Sequence, residues 1–551
     1  MKTVLVLSLV AATCLAYLPQ SFRHQSTAGV LWDDYDFLHD PALMLDIQGS
    51  RVYTSLSNYV TGNDAQFGSN RSNFFLLGGN SRFGAGPATA VIFDRYKFDQ
   101  PLFTGLFSPD SLDSLFGSAR STYAEWRDPD SNGTYDYKRV SQTERNAWRR
   151  GASTDFFLGS GLFLAGARFR LGAALAWNRE GIEFTDPDSD YVMHSFDSSL
   201  VSGRLTWAKD DTGRFRRSAG NDAKTLALSG WYDVREGLAA ELSLAPGLIA
   251  RSSNRHWATR RLTDYNPGLT EPKDFESFVA DDVEGMPYSG LSLPLTLRLI
   301  ARSEESETWW HVGALLRSEK LGTGAQASHV GCYRHTLNPG DSSVADSTRH
   351  SYRGATSNTS LNAGMRRVQH LTDRLDLGFA LNLNAGFFAD SVFDTMGQVQ
   401  VVTYDNGDSL QTIDDYVQTT TAAESWLRRK TGCYTALALP VGLEFRVIPS
   451  VALRLGALPI LRWDDVTTTN QLLTWHPRKV RTVYGDGSFS ERIDDEERSP
   501  ASSETRRSFV QTTELSYGAG FRPVENLQID LMGFANLTNL VNWRLSATLR
   551  F

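Results

Sequence analysis

The chain ends in WRLSATLRF, where Trp543, Leu545, Ala547, Leu549 and Phe551 alternate with Arg544, Ser546, Thr548 and Arg550. A period of two puts the two sets on opposite faces of a β-strand. The pattern recurs upstream. Leu291, Leu293, Leu295, Leu297 and Leu299 alternate with Ser292, Pro294, Thr296 and Arg298. Leu375, Leu377, Phe379, Leu381 and Leu383 alternate with Asp376, Gly378, Ala380, Asn382 and Asn384. Leu437, Leu439, Val441, Leu443, Phe445 and Val447 alternate with Ala438, Pro440, Gly442, Glu444 and Arg446. One face is almost wholly apolar, and the other mixes small and charged residues.

Segments of roughly 9 to 13 residues are long enough to cross a bilayer as tilted strands. Short connections, as at 235–237, 370–374, 448–451 and 522–527, alternate with long polar stretches at about 99–150, 251–288, 318–359, 389–433 and 464–509. This alternation of periplasmic turns and outer loops predicts an all-β fold: an antiparallel, up-and-down transmembrane β-barrel of about 14 to 18 strands. The number should be even. About seventeen strands are clear, and the ambiguity lies between 182 and 224, where either 190–196 is a weak extra strand or 200–207 is not one. Trp177, Trp463 and Trp543 fall at the strand ends beside long loops, where an interfacial aromatic girdle belongs.

The last strand, with Trp543, Leu549 and Phe551 on one face, resembles the C-terminal assembly signal of Gram-negative outer-membrane β-barrels. The resemblance implies the barrel assembly machinery as a partner. In the preceding segment, Asp40-Pro41-Ala42 comes about ten residues before the first strand. It resembles the Asn-Pro-Ala lead-in of long-chain fatty-acid-transporter-type barrels and of type IX secretion shuttle barrels. An ordinary Asp-Pro helix start explains the same residues.

Composition narrows the class further. The net charge of −8 comes without a basic block, so nucleic acid is not an expected partner. Lys2 followed by the apolar run Val4 to Leu15 reads as a signal peptide cleaved after Ala16. The domains are then 1–16 signal, 17–50 a periplasmic or plug segment, and 51–551 the barrel. No later run is long enough for a membrane helix.

Charges give the lumen its candidate residues. Glu241, Arg298, Asp376, Glu444, Arg446, Arg454, Asp530, Arg544 and Arg550 lie opposite the leucines. Arg facing mid-depth lipid costs about 2 to 4 kcal/mol, so this face points inward. It forms either a salt-bridged interior or a polar solute path. Because proline cannot donate to a strand ladder, Pro294, Pro440 and Pro459, with Pro246, mark bulges or a gap in the wall.

Three further groups have the residue types of a site. Asp128, Asp130 and Asn132 before Gly133 match the first half of a calcium loop, although Arg139 stands where the closing Glu belongs. No other cofactor is expected. Cys332 and Cys433 lie in consecutive long stretches and suit one disulfide. His329, Cys332 and His335 lack a fourth metal ligand nearby. Catalysis is not expected, since no G-x-S-x-G or H-E-x-x-H occurs. The expected function is passive transport of small solutes, hydrophobic ones included, across the outer membrane. The rival is a docking or secretion barrel with a filled lumen.

Overall fold

Strand alternation in this chain is carried into one continuous antiparallel sheet whose last strand returns to its first. The computed structural model describes residues 21–57, 71–82, 84, 86–101, 118–128, 130–164, 168–185, 188–200, 202–265, 267, 274–337, 340–407, 412–494, 499–534 and 544–551. The expected signal peptide and Trp543 lie outside the described residues, as does the side chain of Arg544.

The first strands are β1 (Ser50–Ser57), β2 (Arg71–Arg82), β3 (Ala88–Pro101), β4 (Ser118–Arg127), β5 (Tyr137–Asn146), β6 (Trp148–Leu164), β7 (Phe169–Phe184) and β8 (Tyr191–Ser199). Next come β9 (Leu205–Arg235), β10 (Leu238–Leu244), β11 (Gly247–Asp264), β12 (Phe275–Arg302), β13 (Ser306–Leu321), β14 (Gln326–Leu337), β15 (Gly340–Thr372) and β16 (Leu375–Asp405). The chain continues through β17 (Tyr416–Ala438), β18 (Val441–Ile448), β19 (Val451–Tyr484), β20 (Phe489–Asp494), β21 (Ala501–Val524), β22 (Leu527–Phe534) and β23 (Arg544–Arg550).

Because β10 continues into β11, β13 into β14 and β17 into β18, the ring counts 16 strands, an even number inside the expected range. It closes between β1 and β23, from Arg51 opposite Arg550 to Leu56 opposite Leu545. At the end of the seam, Ser50 and Phe551 exchange backbone hydrogen bonds at 3.3 and 3.0 Å. No described helix is long and apolar enough to cross a membrane.

The outward face is the apolar one. Leu291, Leu295 and Leu297 are 62%, 42% and 57% exposed, whereas Glu241 and Asp376, on the other face, are 1% and 2% exposed. In this barrel the greasy side is the exposed side, as lipid contact requires. Trp177 and Trp463 both lie outward near the outer limit of the apolar band, as expected of an outer girdle.

Much of what reads as long outer loop is strand. β19 runs for 34 residues and β15 for 33, where a bilayer needs about 10, so the wall stands far above the membrane. The ladder persists there because backbone pairing does not depend on apolar alternation. Outside lipid, both faces carry polar groups, and the period-2 signal disappears from the sequence. The ambiguous stretch at 190–196 is a strand, β8, paired with β5 and β9 in this outer wall and not in the ring. Residues 202–204 precede β9 as a turn.

The same outward extension overturns the expected disulfide. Cys332 on β14 and Cys433 on β17 are free and exposed. Cys332 faces Ala345 of β15, Ala345 faces Val401 of β16, and Val401 faces Thr419 of β17. Cys433 is fourteen positions further along β17 than Thr419, roughly 46 Å at strand rise. A bridge requires Cα atoms about 4.4 to 6.8 Å apart.

Candidate functional site: a plugged lumen

Residues 21–49 do not join the wall but run across its periplasmic lumen. Ser21 caps a short helix, Phe22–Ser26, by accepting the His24 N–H at 2.9 Å. Asp33 and Asp36 form a capping box over a 3-10 turn, Asp34–Leu38. Asp40 caps a second one, Pro41–Asp46, where the Asp40 carboxylate accepts the Ala42 N–H at 3.1 Å. The Asp-Pro helix start and the lumenal position of Asp-Pro-Ala therefore hold together. Phe22, Phe37, Met44 and Leu45 are buried in the core.

Small residues on the wall make the seat. Gly378, Gly442 and Gly456 face one another across β16, β18 and β19. A Cβ on any of them would strike Val30, Thr27 or Ala28 of the plug. On the opposite wall, a Cβ on Gly172 of β7 would strike Pro41 and Ala42. The Ala42 N–H also donates to Ser229 Oγ at 2.8 Å.

The expected inward charges anchor this seat. Arg23 forks onto Glu444, with Nε to Oε2 at 2.8 Å and Nη2 to Oε1 at 3.0 Å. Arg454 donates to Glu444 at 2.7 Å and to Asp530 at 2.6 Å, and Arg446 donates to Asp376 at 2.7 Å. Arg298 pairs with Glu241 at 2.8 Å and lies 3.9 Å from Asp40. Arg550 reaches Gln528 at 3.3 Å on the inner face. Of the nine, the eight with described side chains thus fall in two inward groups: Asp376, Glu444, Arg446, Arg454, Asp530 and Arg550 linked around Arg23 and Gln528, and Glu241 with Arg298 beside Asp40. Burial also acts on the plug's own groups. It lowers His24 to about 3 and, with help from the charge of Arg298, His39 to about 4, so both are neutral at pH 7. Burial raises Asp33 to about 6.

Sequence reasoning missed the aromatic latch. Trp32 of the plug packs on Trp309 of β13 at 4.0 Å between ring centroids. The Arg366 guanidinium lies 3.9 Å from the Trp32 ring centre and 4.4 Å from that of Trp309, a shared cation–π contact. Arg170, over the Trp231 ring at 4.6 Å, pairs with Asp46 of the plug. The available signal was an apolar-rich segment without period 2, followed by inward strand positions filled by glycine.

The other candidates resolve separately. Asp128, Asp130 and Asp136 each place one carboxylate oxygen within 4.8 Å of the others. Asn132 donates its amide to Asp130 at 2.9 Å, and Asp128 accepts the Gly133 N–H at 2.8 Å. Arg139 pairs with Asp197 at 2.6 Å. His329 lies on β14 beside Asp282, and His335 lies 3.6 Å from Glu276. At the prolines, the carbonyl stays in the ladder. Ala245 N–H donates to Pro294 O at 3.1 Å, Ala380 N–H to Pro440 O at 2.8 Å, and Leu439 N–H to Pro459 O at 3.0 Å. The break at Ala245-Pro246 faces Pro294, and that at Leu439-Pro440 faces Pro459.

Above the plug the lumen remains charged, with Arg251 and Arg317 on Glu319, and His350 2.9 Å from Asp394.

No protein-family model matches the chain, and no curated protein matches it. Among solved structures, the Ralstonia pickettii toluene transporter TbuX aligns over 97% of this chain and 98% of its own, at 10% identity and TM-score 0.32. A Pseudomonas aeruginosa FadL homologue aligns over 97% and 99%, at 10% identity and TM-score 0.25. The ferric enterobactin receptor PfeA of Pseudomonas aeruginosa, as a double mutant, aligns over 91% and 80%, at 10% identity and TM-score 0.26.

Proposed function

We propose that the protein is an outer-membrane barrel for passive passage of a small solute, with residues 21–49 closing the path at its periplasmic end. The observation that carries this reading is that the lumen is filled by a segment outside the wall, held by side-chain ion pairs, an aromatic latch and an apolar core shared with the inner wall. Such contacts can be released without opening the strand ladder. The charged outer lumen, with Arg251, Glu319, His350 and Asp394, favours a polar or zwitterionic solute on that route. A hydrophobic solute would instead leave sideways, and the proline-faced breaks at Pro246/Pro294 and Pro440/Pro459 are where such an exit would form.

The filled lumen also favours a second reading, a docking barrel whose plug never leaves. Conductance in planar bilayers separates the two. Transport predicts that Trp32→Ala with Arg23→Ala raises open probability and solute flux while the barrel stays folded. A permanent plug predicts conductance unchanged by loosening, with no solute flux in either form.

A further inference from the structure

Just outside the apolar band, the outward face of β3, β6, β7 and β9 changes character within one strand position. Phe93, Phe156, Trp177 and Lys224 face one another in a row across the four strands, and the three aromatic residues are 37%, 37% and 38% exposed. The next outward row holds Arg95, Thr154, Arg179 and Asp222, and Lys97 follows on β3. Arg95, Lys97, Arg179 and Lys224 are all exposed. Arg95 and Arg179, two strands apart, are separated by about 10 Å at ordinary strand spacing.

Some outward charges elsewhere on the outer wall have protein partners: Arg507 with Asp465 at 3.0 Å, and His256 with Asp281 at 2.7 Å. The four basic residues over the girdle do not. Among the described residues they have no ion-pair partner, and Asp222 is engaged by the Trp177 indole N–H at 3.2 Å. Glu183 and Asp99, two rows beyond Arg95, stand on either side of Arg150 in the ladder.

We propose that this patch binds the phosphorylated headgroup of an outer-leaflet lipid of the lipid A type, whose acyl chains lie on the aromatic and leucine face beneath. Two arguments select that occupant. Guanidinium and ammonium groups at this spacing match phosphate oxygens. The patch is also continuous with the lipid-facing surface, so one molecule carrying both acyl chains and phosphates satisfies both zones. An acidic protein would match the charge but leave Phe93, Phe156 and Trp177 without their apolar complement. The inference rests on the outer-membrane placement but not on the transport reading.

The test is native mass spectrometry of the purified full-length protein in detergent, titrated with bis-phosphorylated hexa-acyl lipid A, dephosphorylated lipid A, phosphatidylglycerol and inorganic phosphate. The combined variant Arg95→Gln, Lys97→Gln, Arg179→Gln, Lys224→Gln should bind bis-phosphorylated lipid A at least tenfold more weakly. Arg492→Gln, an exposed change far above the membrane, should leave binding intact. Heat-modifiable gel migration certifies folding. Should the combined variant misfold, Arg179→Gln and Lys224→Gln singly should each weaken binding about threefold. Undiminished binding by folded variants overturns the proposal. So does equal affinity for phosphatidylglycerol or dephosphorylated lipid A, or displacement of lipid A by equimolar phosphate. A wild-type chain with neither heat-modifiable migration nor any bound lipid would overturn the membrane placement itself.

Discussion

Arg23 and Glu444 meet as a fork, two N–H groups on two carboxylate oxygens at 2.8 and 3.0 Å, although 421 positions separate them. The pair joins the plug to the wall, and Glu444 is shared with Arg454. Removing one partner of a buried, hydrogen-bonded pair costs about 3 to 5 kcal/mol. The Arg23 side chain retains 24% exposure, so the lower end applies to Arg23→Ala. The plug should become accessible to a periplasmic protease while the barrel keeps its heat-modifiable migration. Protection equal to wild type would mean that this fork does not hold the plug.

Gly442 and its neighbour Leu443 should respond to substitution in different ways. From alternation alone a change at inward Gly442 reads as better tolerated in assembly than Arg on the lipid face. The structure adds that a Cβ there meets the Thr27 carbonyl oxygen of the plug. Gly442→Val should displace the plug yet still assemble, as read by cysteine labelling at Thr27→Cys. Leu443→Arg, facing lipid, should cost about 2 to 4 kcal/mol and lower the yield of assembled barrel. Equal effects on yield would count against the assignment of faces.

Cys332 and Cys433 should both react with a maleimide in denatured, unreduced protein, giving two adducts by mass. A two-dalton deficit with no labelling would instead establish the bridge.

Phe551 closes the seam through backbone bonds with Ser50, while its ring is 72% exposed. Deleting it should cost the fold about 1 to 2 kcal/mol, mainly the ring's apolar contacts and one bond pair. Refolding in detergent should therefore be nearly normal. Cellular insertion should fall far more if the assembly machinery reads this residue, and normal insertion would remove it from that role.

The barrel, its closure by the last strand and the face that meets lipid are legible in the residue pattern. The alternation of Leu291 to Leu299 or of Leu545 to Phe551 suits a soluble sheet over a core as well; its repetition in segments of membrane-crossing length, between short turns and long polar stretches and with charges on the opposite face, is what points to lipid outside and polar groups inside. The pattern also identified Glu241, Arg298, Asp376 and Glu444 as inward. It could not show what they touch, because their partners Arg23 and Asp40 lie hundreds of positions away in a segment with no period of its own. The wall above the membrane was hidden for a related reason: once water wets both faces, alternation carries no free energy, and only the neighbouring strand's backbone decides that 340–360 or 464–484 is strand. The tertiary structure alone decided that Cys332 and Cys433 stand apart. Register, set by pairing of whole strands, fixes distances that spacing along the chain does not.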